Sequence, residues 1–222
     1  MLRGVLLDID GTLVRSNDQH ARAWSDALRG HGYAVPWTEI RRWIGMGGDR
    51  ILPLVDPKLN DAEEPGKAIA RDRQEIFLAT YLSAVQPQPG NRELLEYLQS
   101  RSILRVAATS AKRQELDAIL EAGGIAGELD AATTSDDAKR SKPDADIIES
   151  ALAQSKLAKH EAIYLGDTPY DVEASRRAGI AVIALRCGGW DDEALRDADA
   201  IYESPADLLQ DFDRSPMGRA LA

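Results

Sequence analysis

The segment Val5-Leu6-Leu7-Asp8-Ile9-Asp10-Gly11-Thr12 begins with an apolar run and ends in two carboxylates and a glycine. A short apolar run that stops at polar turn residues is typical of a fully buried strand in a parallel sheet. Ligands of such sheets bind beyond the carboxyl ends of the strands. The segment therefore predicts a central strand and, at Asp8 and Asp10, the beginning of a functional site.

Beyond this strand the pattern becomes helical and later alternates between helices and strands. Ala21, Trp24, Leu28 and His31 form an apolar stripe at helical spacing, and Ser16 and Asp61 are candidate helix N-caps. The segment 86–90, Gln-Pro-Gln-Pro-Gly, can continue neither a helix nor a central strand and predicts a hinge. Further strands are expected at 104–108, 131–133, 162–165 and 181–185.

We predict an α/β protein in which a doubly wound, Rossmann-like parallel sheet carries an inserted, all-helical cap. The core is expected to comprise residues 1–15 and 86–222, and the cap residues 16–85. A chain of 222 residues suits one larger domain with a smaller insert.

Composition excludes several classes of partner. The chain has 27 Lys and Arg against 37 Asp and Glu, a formal net charge of −10, which opposes binding to nucleic acid or to an anionic membrane. The single Cys187 excludes an internal disulfide, and the longest apolar run, 180–185, is too short for a membrane span. We expect a cytoplasmic protein that is a monomer or a weak homodimer.

Asp8 and Asp10 are the strongest candidates for a metal site. In an extended chain, residues two apart project from one face, with Cβ atoms about 7 Å apart. Like charges so close repel each other unless a cation lies between them or one is protonated. Hard oxygen ligands favour Mg²⁺. The alternative is an acidic turn after a buried strand, because Asp and Gly are common turn residues.

The loops after the next two strands offer groups that suit phosphate. Ser110 can cap a helix that begins near Ala111, or it can join Thr109 in binding a phosphate oxygen at that helix end. Lys142 precedes a proline, which keeps it out of the following helix. It is either a solvated loop lysine or the group that neutralises a phosphate and a crowded set of carboxylates.

The segment that follows the predicted strand 162–165 adds two further acids, Asp167 and Asp171. Thr168, Pro169 and Asp171 match an acidic version of the capping box, so Asp171 has a structural explanation. Asp167 precedes that helix and would bring a third carboxylate to Asp8 and Asp10. Three converging carboxylates need a metal.

Together these motifs resemble the haloacid dehalogenase superfamily, and within it the phosphoglycolate phosphatase and β-phosphoglucomutase group, whose members carry a helical cap. The resemblance spans nearly the whole chain. It rests on four ordered motifs: Asp-Ile-Asp-Gly-Thr-Leu at 8–13, the hydroxyl residue at 109, Lys-Pro at 142–143 and Gly-Asp-Thr-x-x-Asp at 166–171.

The resemblance implies that Asp8 is a nucleophile that forms an aspartyl phosphate and that Asp10 is the acid and base. It implies that Mg²⁺ is held by the Asp8 and Asp167 carboxylates and the Asp10 carbonyl, with Asp171 in support. The remaining implied assignments are phosphoryl binding by Thr109 and Lys142, and a turn with backbone donors at Gly11 and Thr12.

The cap adds three residues to the resemblance. His20 stands where related sugar-phosphate mutases have a hinge histidine near the acid and base; it is otherwise a polar residue on the first cap helix. Gly47 belongs to a loop, 45–50, that resembles the cap loop facing the active site, and Arg50 is a candidate contact for the far end of the substrate. Arg15 departs from the acidic residue often found at its position.

The leading hypothesis is a Mg²⁺-dependent phosphatase of small phosphorylated metabolites, of the phosphoglycolate or sugar-phosphate type. A β-phosphoglucomutase-like mutase is the first alternative, favoured by His20, whereas Thr12 and Gly47-Gly48 favour hydrolysis. A non-catalytic binding or regulatory module on the same fold is the second.

Overall fold

The computed structural model describes residues 1–221. Its centre is a six-stranded sheet in which all neighbouring strands run parallel. The strands of this sheet are β1 Gly4–Leu7, β4 Leu104–Ala108, β5 Ala131–Thr133, β6 Ala162–Gly166, β7 Ala181–Leu185 and β8 Ala200–Tyr202; a separate pair consists of β2 Val14–Arg15 and β3 Gln86–Pro87. The order β5-β4-β1-β6-β7-β8 places β1 between β4 and β6. The opening segment of the sequence is therefore the central strand that the apolar run predicted.

Helices fill the rest of the chain in two groups. Between the two strands of the pair lie α1 Asn17–Gly30, α2 Trp37–Ile40, α3 Gly48–Val55 and α4 Gly66–Ile76, which is extended by a π-helical turn, Phe77–Tyr81. The second group lies between the strands of the large sheet or after the last of them: α5 Asn91–Ser100, α6 Arg113–Ala122, α7 Asp146–Ser155, α8 Pro169–Ala178, α9 Asp192–Leu195, α10 Pro205–Gln210 and α11 Pro216–Arg219. No helix within residues 1–221 combines the length and apolarity that crossing a membrane requires.

Both faces of the large sheet are covered. Val5 and Leu7 of β1 pack in the same buried cluster as apolar residues of α5 and α6. Leu6 points to the opposite face and belongs to a cluster with residues of α7 and α8. This alternation, with helices on both sides, confirms the doubly wound α/β fold.

The helices between β2 and β3 have a buried core of their own. Trp24 and Leu28 of α1 pack there with residues of the three other helices of the segment. The antiparallel β2–β3 pair, with Val14 opposite Pro87, brings the two chain connections side by side. The helical insert is thus present, and its limits at 16 and 85 stay a prediction.

The structure corrects several details. β8 is an edge strand of three half-buried residues, which gives no long apolar run to detect. The predicted hinge supplies strand β3, which pairs with β2 although Pro87 cannot donate a ladder hydrogen bond. Asp61 is no N-cap, because α4 begins only at Gly66, and His31 lies just beyond the end of α1.

Candidate active site

A cavity lies between the cap helices and the carboxyl end of the sheet. Its volume is about 40 Å³, room for about three water molecules. Residues of α6 and of the loops after β1 and β4 line it on the core side, and residues of α1, α4 and the segment 44–48 line it on the cap side. The lining comprises Asp8, Asp10, His20, Trp24, Ile44, Gly45, Met46, Gly47, Gly48, Arg73, Thr109, Ser110, Ala111 and Glu115.

Three buried carboxylates meet beside this cavity. Asp8, Asp167 and Asp171 each place an oxygen within 4.8 Å of the others. Residues 8 and 167 follow the adjacent strands β1 and β6, so the parallel sheet brings them together across most of the chain length. The carboxylate of Asp10 is not in this group, which differs from the three acids expected to converge.

Lys142 is fully buried and lies among these acids. Its Nζ forms an ion pair with Asp8, and a second with Asp171 Oδ1 at 2.7 Å. Burial alone would lower the pKa of Lys142, but the charges of Asp171 and Asp8 hold that pKa well above its usual value. The interpretation of Lys142 as a solvated loop lysine is therefore wrong.

One lysine does not balance three acids. Burial, with further repulsion from Asp171, raises the pKa of Asp167 to about 7. Burial also raises the pKa of Asp8, and the attraction of Lys142 offsets only part of that effect. Both shifts have the same two causes: the acids are buried, and neighbouring carboxylates repel each other with one lysine among them.

Asp171 is used on both oxygens. Its Oδ2 accepts hydrogen bonds from the backbone N and the hydroxyl of Thr168, at 3.0 and 2.7 Å, which completes the expected capping box of α8. Its Oδ1 accepts from Lys142, and from the Tyr164 hydroxyl at 3.2 Å. Asp171 is therefore a structural cap and a support of Lys142 at once.

The carboxylate of Asp10 faces the cap. Its Oδ1 lies 2.8 Å from His20 Nε2 and accepts a hydrogen bond of 2.5 Å from Ser16 Oγ. Burial would raise the pKa of Asp10, but the charge and hydrogen bond of His20, the Ser16 hydroxyl and Arg73 together lower it. This pairing explains why the side chain stands apart from the other three acids.

Thr109 and Ser110 follow β4 at the cavity wall. The Thr109 hydroxyl accepts a hydrogen bond from the Ala111 backbone N at 3.1 Å. Ser110 is not an N-cap, because α6 begins only at Arg113; its hydroxyl donates instead to the carbonyl of Gly45 in the cap, at 3.1 Å. The structural explanation of Ser110 is therefore wrong, and Ser110 links core and cap.

Gly11 and Thr12 form the turn after Asp10. Gly11 has φ +86°, and a Cβ there would overlap the Asp167 carboxylate and the Asn17 amide. The Thr12 hydroxyl lies 2.8 Å from Asp167 Oδ1 and 3.3 Å from Asp8 Oδ2. Glycine is thus required by the close approach, and Thr12 joins two of the acids.

The two predicted residues of the cap loop have different surroundings. Gly47 lines the cavity, and its backbone N donates to Ser141 Oγ at 2.9 Å. The Arg50 guanidinium is paired with Asp144 of the core, away from the residues that line the cavity. The suggested contact of Arg50 with substrate stays a prediction.

Sequence reasoning missed Asn17, Arg73 and Glu115. Glu115 of α6 is fully buried and forms an ion pair with Arg73 of α4. Asn17 donates to Asp167 Oδ2 at 3.0 Å. No sequence motif marks these positions. Their place in the sequence is the one available indication: Asn17 follows β2 closely, and Glu115 lies five residues after Ser110.

The residues fit a divalent cation. The available donors are carboxylate oxygens, and burial together with repulsion among the acids raises the pKa of Asp8 and of Asp167, an effect that a cation bound between them would offset. Asp171 caps α8 through one oxygen and holds Lys142 with the other, so Asp8 and Asp167 are the carboxylates of the cluster best suited to bind an ion. An all-oxygen set suits Mg²⁺.

Known proteins of similar sequence are phosphatases. A validoxylamine A 7'-phosphate phosphatase from Streptomyces hygroscopicus subsp. limoneus is 27% identical over 203 residues, which cover 91% of this chain and 94% of the relative. A phosphoglycolate phosphatase from Nitrosococcus oceani is 27% identical over 215 residues, covering 90% and 92%.

Solved structures of hydrolases have the same fold as this chain. A hydrolase from Pseudomonas syringae superposes with a TM-score of 0.87 at 29% identity, covering 96% of this chain and 98% of the other. The family model described as haloacid dehalogenase-like hydrolase matches residues 5–185. The predicted family and the hydrolase class are thereby confirmed: this chain belongs to the haloacid dehalogenase-like hydrolases.

Proposed function

We propose that this protein is a Mg²⁺-dependent phosphatase that hydrolyses a small phosphorylated metabolite through an aspartyl phosphate. One arrangement supports the proposal: Asp8 and Asp10 line the same cavity. Asp8 lies beside Lys142 and Asp167, whereas the Asp10 carboxylate contacts His20. A nucleophile beside a buried lysine and a separate carboxylate for proton transfer are two groups that this reaction needs.

Asp8 is the nucleophile. Its carboxylate oxygen forms a bond to phosphorus while the ester P–O bond breaks, and the proton held in the hydrogen bond between Asp10 and His20 passes through Asp10 to the departing alkoxide. Asp10 then takes a proton from water as that water attacks phosphorus, which releases phosphate and restores Asp8. Thr109 and Lys142 bind the phosphoryl oxygens, and the backbone of Gly11 and Thr12 donates to them.

Mg²⁺, held by the Asp8 and Asp167 carboxylates and the Asp10 carbonyl, would supply the positive charge that lets an anionic phosphate approach an anionic nucleophile. Asp171 keeps Lys142 in place beside Asp8.

A second, larger cavity supports a small metabolite as substrate. It has a volume of about 380 Å³ and shares Trp24, Gly47, Gly48, Arg73 and Ser110 with the first. Its lining contains six basic side chains against three acidic ones, in a protein of net charge −10. The basic side chains are Lys67, Arg71, Arg73, Lys112, Lys139 and Arg140. The non-reacting part of an anionic ester suits this space.

A panel of phosphate esters with phosphate detection, run with MgCl₂ and with EDTA, tests the proposal. We expect phosphate release from one or more small esters only with MgCl₂, and none from Asp8→Asn. Asp10→Asn should still form a phosphoenzyme but hydrolyse it slowly. Equal turnover in EDTA, or by Asp8→Asn, would contradict the proposal.

The contact between His20 and Asp10 keeps a phosphosugar mutase as the second candidate. A mutase returns the phosphoryl group to the sugar rather than to water. With β-glucose 1-phosphate as substrate, a phosphatase releases phosphate, whereas a mutase yields the 6-phosphate isomer without it. If no ester of the panel is turned over, the remaining candidate is a non-catalytic binding or regulatory module.

A further inference from the structure

Asn17 is the first residue of the first cap helix, and its side chain reaches into the core. The residue is 4% exposed. Its amide Nδ2 donates to Asp167 Oδ2 at 3.0 Å, over a sequence separation of 150 residues. A helix of the insert thus makes direct contact with a carboxylate of the acid cluster.

The two oxygens of Asp167 are held by donors from different parts of the chain. Thr12, in the turn after β1, is 2.8 Å from Oδ1, and Asn17, in the helical insert, holds Oδ2. The backbone of Gly188 closes a third side, since a Cβ at that position would overlap the Asp167 side chain. Without Asn17, one oxygen would lose its donor and the carboxylate could rotate.

The other end of the Asn17 amide is unused. Oδ1 is buried and has no hydrogen-bond partner among residues 1–221. A buried acceptor without a partner is costly, so such an atom calls for a bound water, ion or ligand. Since Asp167 fixes the orientation of the amide by requiring the NH₂ group, the free atom is the oxygen.

We propose that Asn17 is a positioning residue for the cation, a role that rests on the metal site of the proposed function. Its Nδ2 holds Asp167 in the orientation that binds Mg²⁺, and its Oδ1 serves the hydration shell of that ion. Because Asn17 belongs to the helical insert, the affinity for Mg²⁺ depends on where the first cap helix lies, and bound Mg²⁺ in turn favours that placement.

Calorimetric titration of the metal-free protein with MgCl₂, without substrate, tests the positioning role. Asn17→Ala should raise the Kd for Mg²⁺ by about tenfold or more, as loss of such supporting hydrogen bonds does elsewhere. Asn91→Ala is the matched control: Asn91 is also buried, 5% exposed, but its Nδ2 donates to the carbonyls of Leu13 and Gly123 rather than to an acid. It should lower the melting temperature and leave the Kd unchanged.

If Asn17→Ala does not fold, Asn17→Ser provides a smaller polar side chain and should weaken Mg²⁺ binding in the same direction. A wild-type Kd in the variant that folds would overturn the inference. If the unsubstituted protein binds no Mg²⁺, the metal site itself is wrong. Because no substrate is present, neither result depends on whether the protein is a phosphatase.

Amide hydrogen exchange tests the link to the cap. In the unsubstituted protein, MgCl₂ should slow exchange in the hinge peptides that contain residues 14–17 and 86–88, and this protection should disappear in Asn17→Ala. Protection of equal size in both proteins would refute the coupling.

Discussion

The imidazole of His20 joins the cap to Asp10, with Nε2 at 2.8 Å from Asp10 Oδ1. The ring stacks on Phe77 of the cap, with centroids 4.0 Å apart and an interplanar angle of 11°. Its other nitrogen, Nδ1, lies 3.4 Å from Glu115 of the core. A cap side chain is therefore held between two core carboxylates, so any opening of the cap breaks both contacts.

His20→Ala should lower kcat for phosphate-ester hydrolysis by about tenfold or more, because Asp10 loses the partner that orients it for proton transfer. The loss should be larger for alkyl esters, whose leaving oxygen needs a proton, than for p-nitrophenyl phosphate. His31→Ala is the matched control, since His31 pairs with Asp72 at the same 2.8 Å but is absent from the cavity lining. Equal losses in the two variants would contradict the role of His20.

Gly47→Ala should lower kcat/KM by about tenfold or more, because small displacements of positioning groups are costly to catalysis. A Cβ at residue 47 would come 2.7 Å from Ser141 Cβ and push the cap loop off the core. Gly48→Ala is the control, since its Cβ would meet its neighbours at ordinary distances of 3.5 Å and more. Steady-state kinetics on both variants measures kcat/KM, and similar kcat/KM values for the two would refute the expectation.

Glu115→Gln should destabilise the protein by about 3 kcal/mol, because it leaves the Arg73 charge without its buried partner between cap and core. Glu193→Gln, in a pair whose side chains are 65% and 78% exposed, should cost less than about 1 kcal/mol. Urea unfolding monitored by tryptophan fluorescence measures both. A difference below the experimental error would show that the cross-interface pair contributes little.

Asp130→Asn should weaken the dependence of stability on pH at acid pH. The hydrogen bond from Arg105 lowers the pKa of Asp130 against the opposing effect of burial, so the pair stabilises the fold above the unfolded carboxyl pKa. That contribution is lost as the pH falls through the lowered, folded pKa. Melting temperatures between neutral pH and about pH 3 should converge for variant and wild type on the acid side. The exposed Glu121→Gln serves as control, and parallel curves for Asp130→Asn would contradict the expectation.

The cavity beside Asp8 and Asp10 has a volume of about 40 Å³, which is room for a few waters rather than for a whole ester. We expect the insert to move about the β2–β3 pair when substrate enters. The contacts of Ser110 with Gly45 and of Gly47 with Ser141 are among those that must break.

Local patterns were sufficient for the sheet and for the motif acids. Short, mainly apolar segments mark β1, β4, β6 and β7, because strands that are buried on both faces are rich in apolar residues. They failed at β8 and at the β2–β3 pair, where pairing partners rather than residue type define the strand. The sequence also allows Ser110 to be a helix cap. Only the packed structure shows that its hydroxyl instead donates to the carbonyl of Gly45 in the cap.

The order of the motifs along the chain determined the fold class, the family and which acids end the strands of the sheet, because backbone periodicity and turn chemistry are local properties. Tertiary structure alone decided that Lys142 is buried between Asp8 and Asp171, that Asp10 turns to His20, and that Asn17 and Glu115 cross between insert and core. These contacts join residues up to 150 positions apart. Such contacts depend on how the packed elements exclude water and place their side chains, which no local pattern specifies.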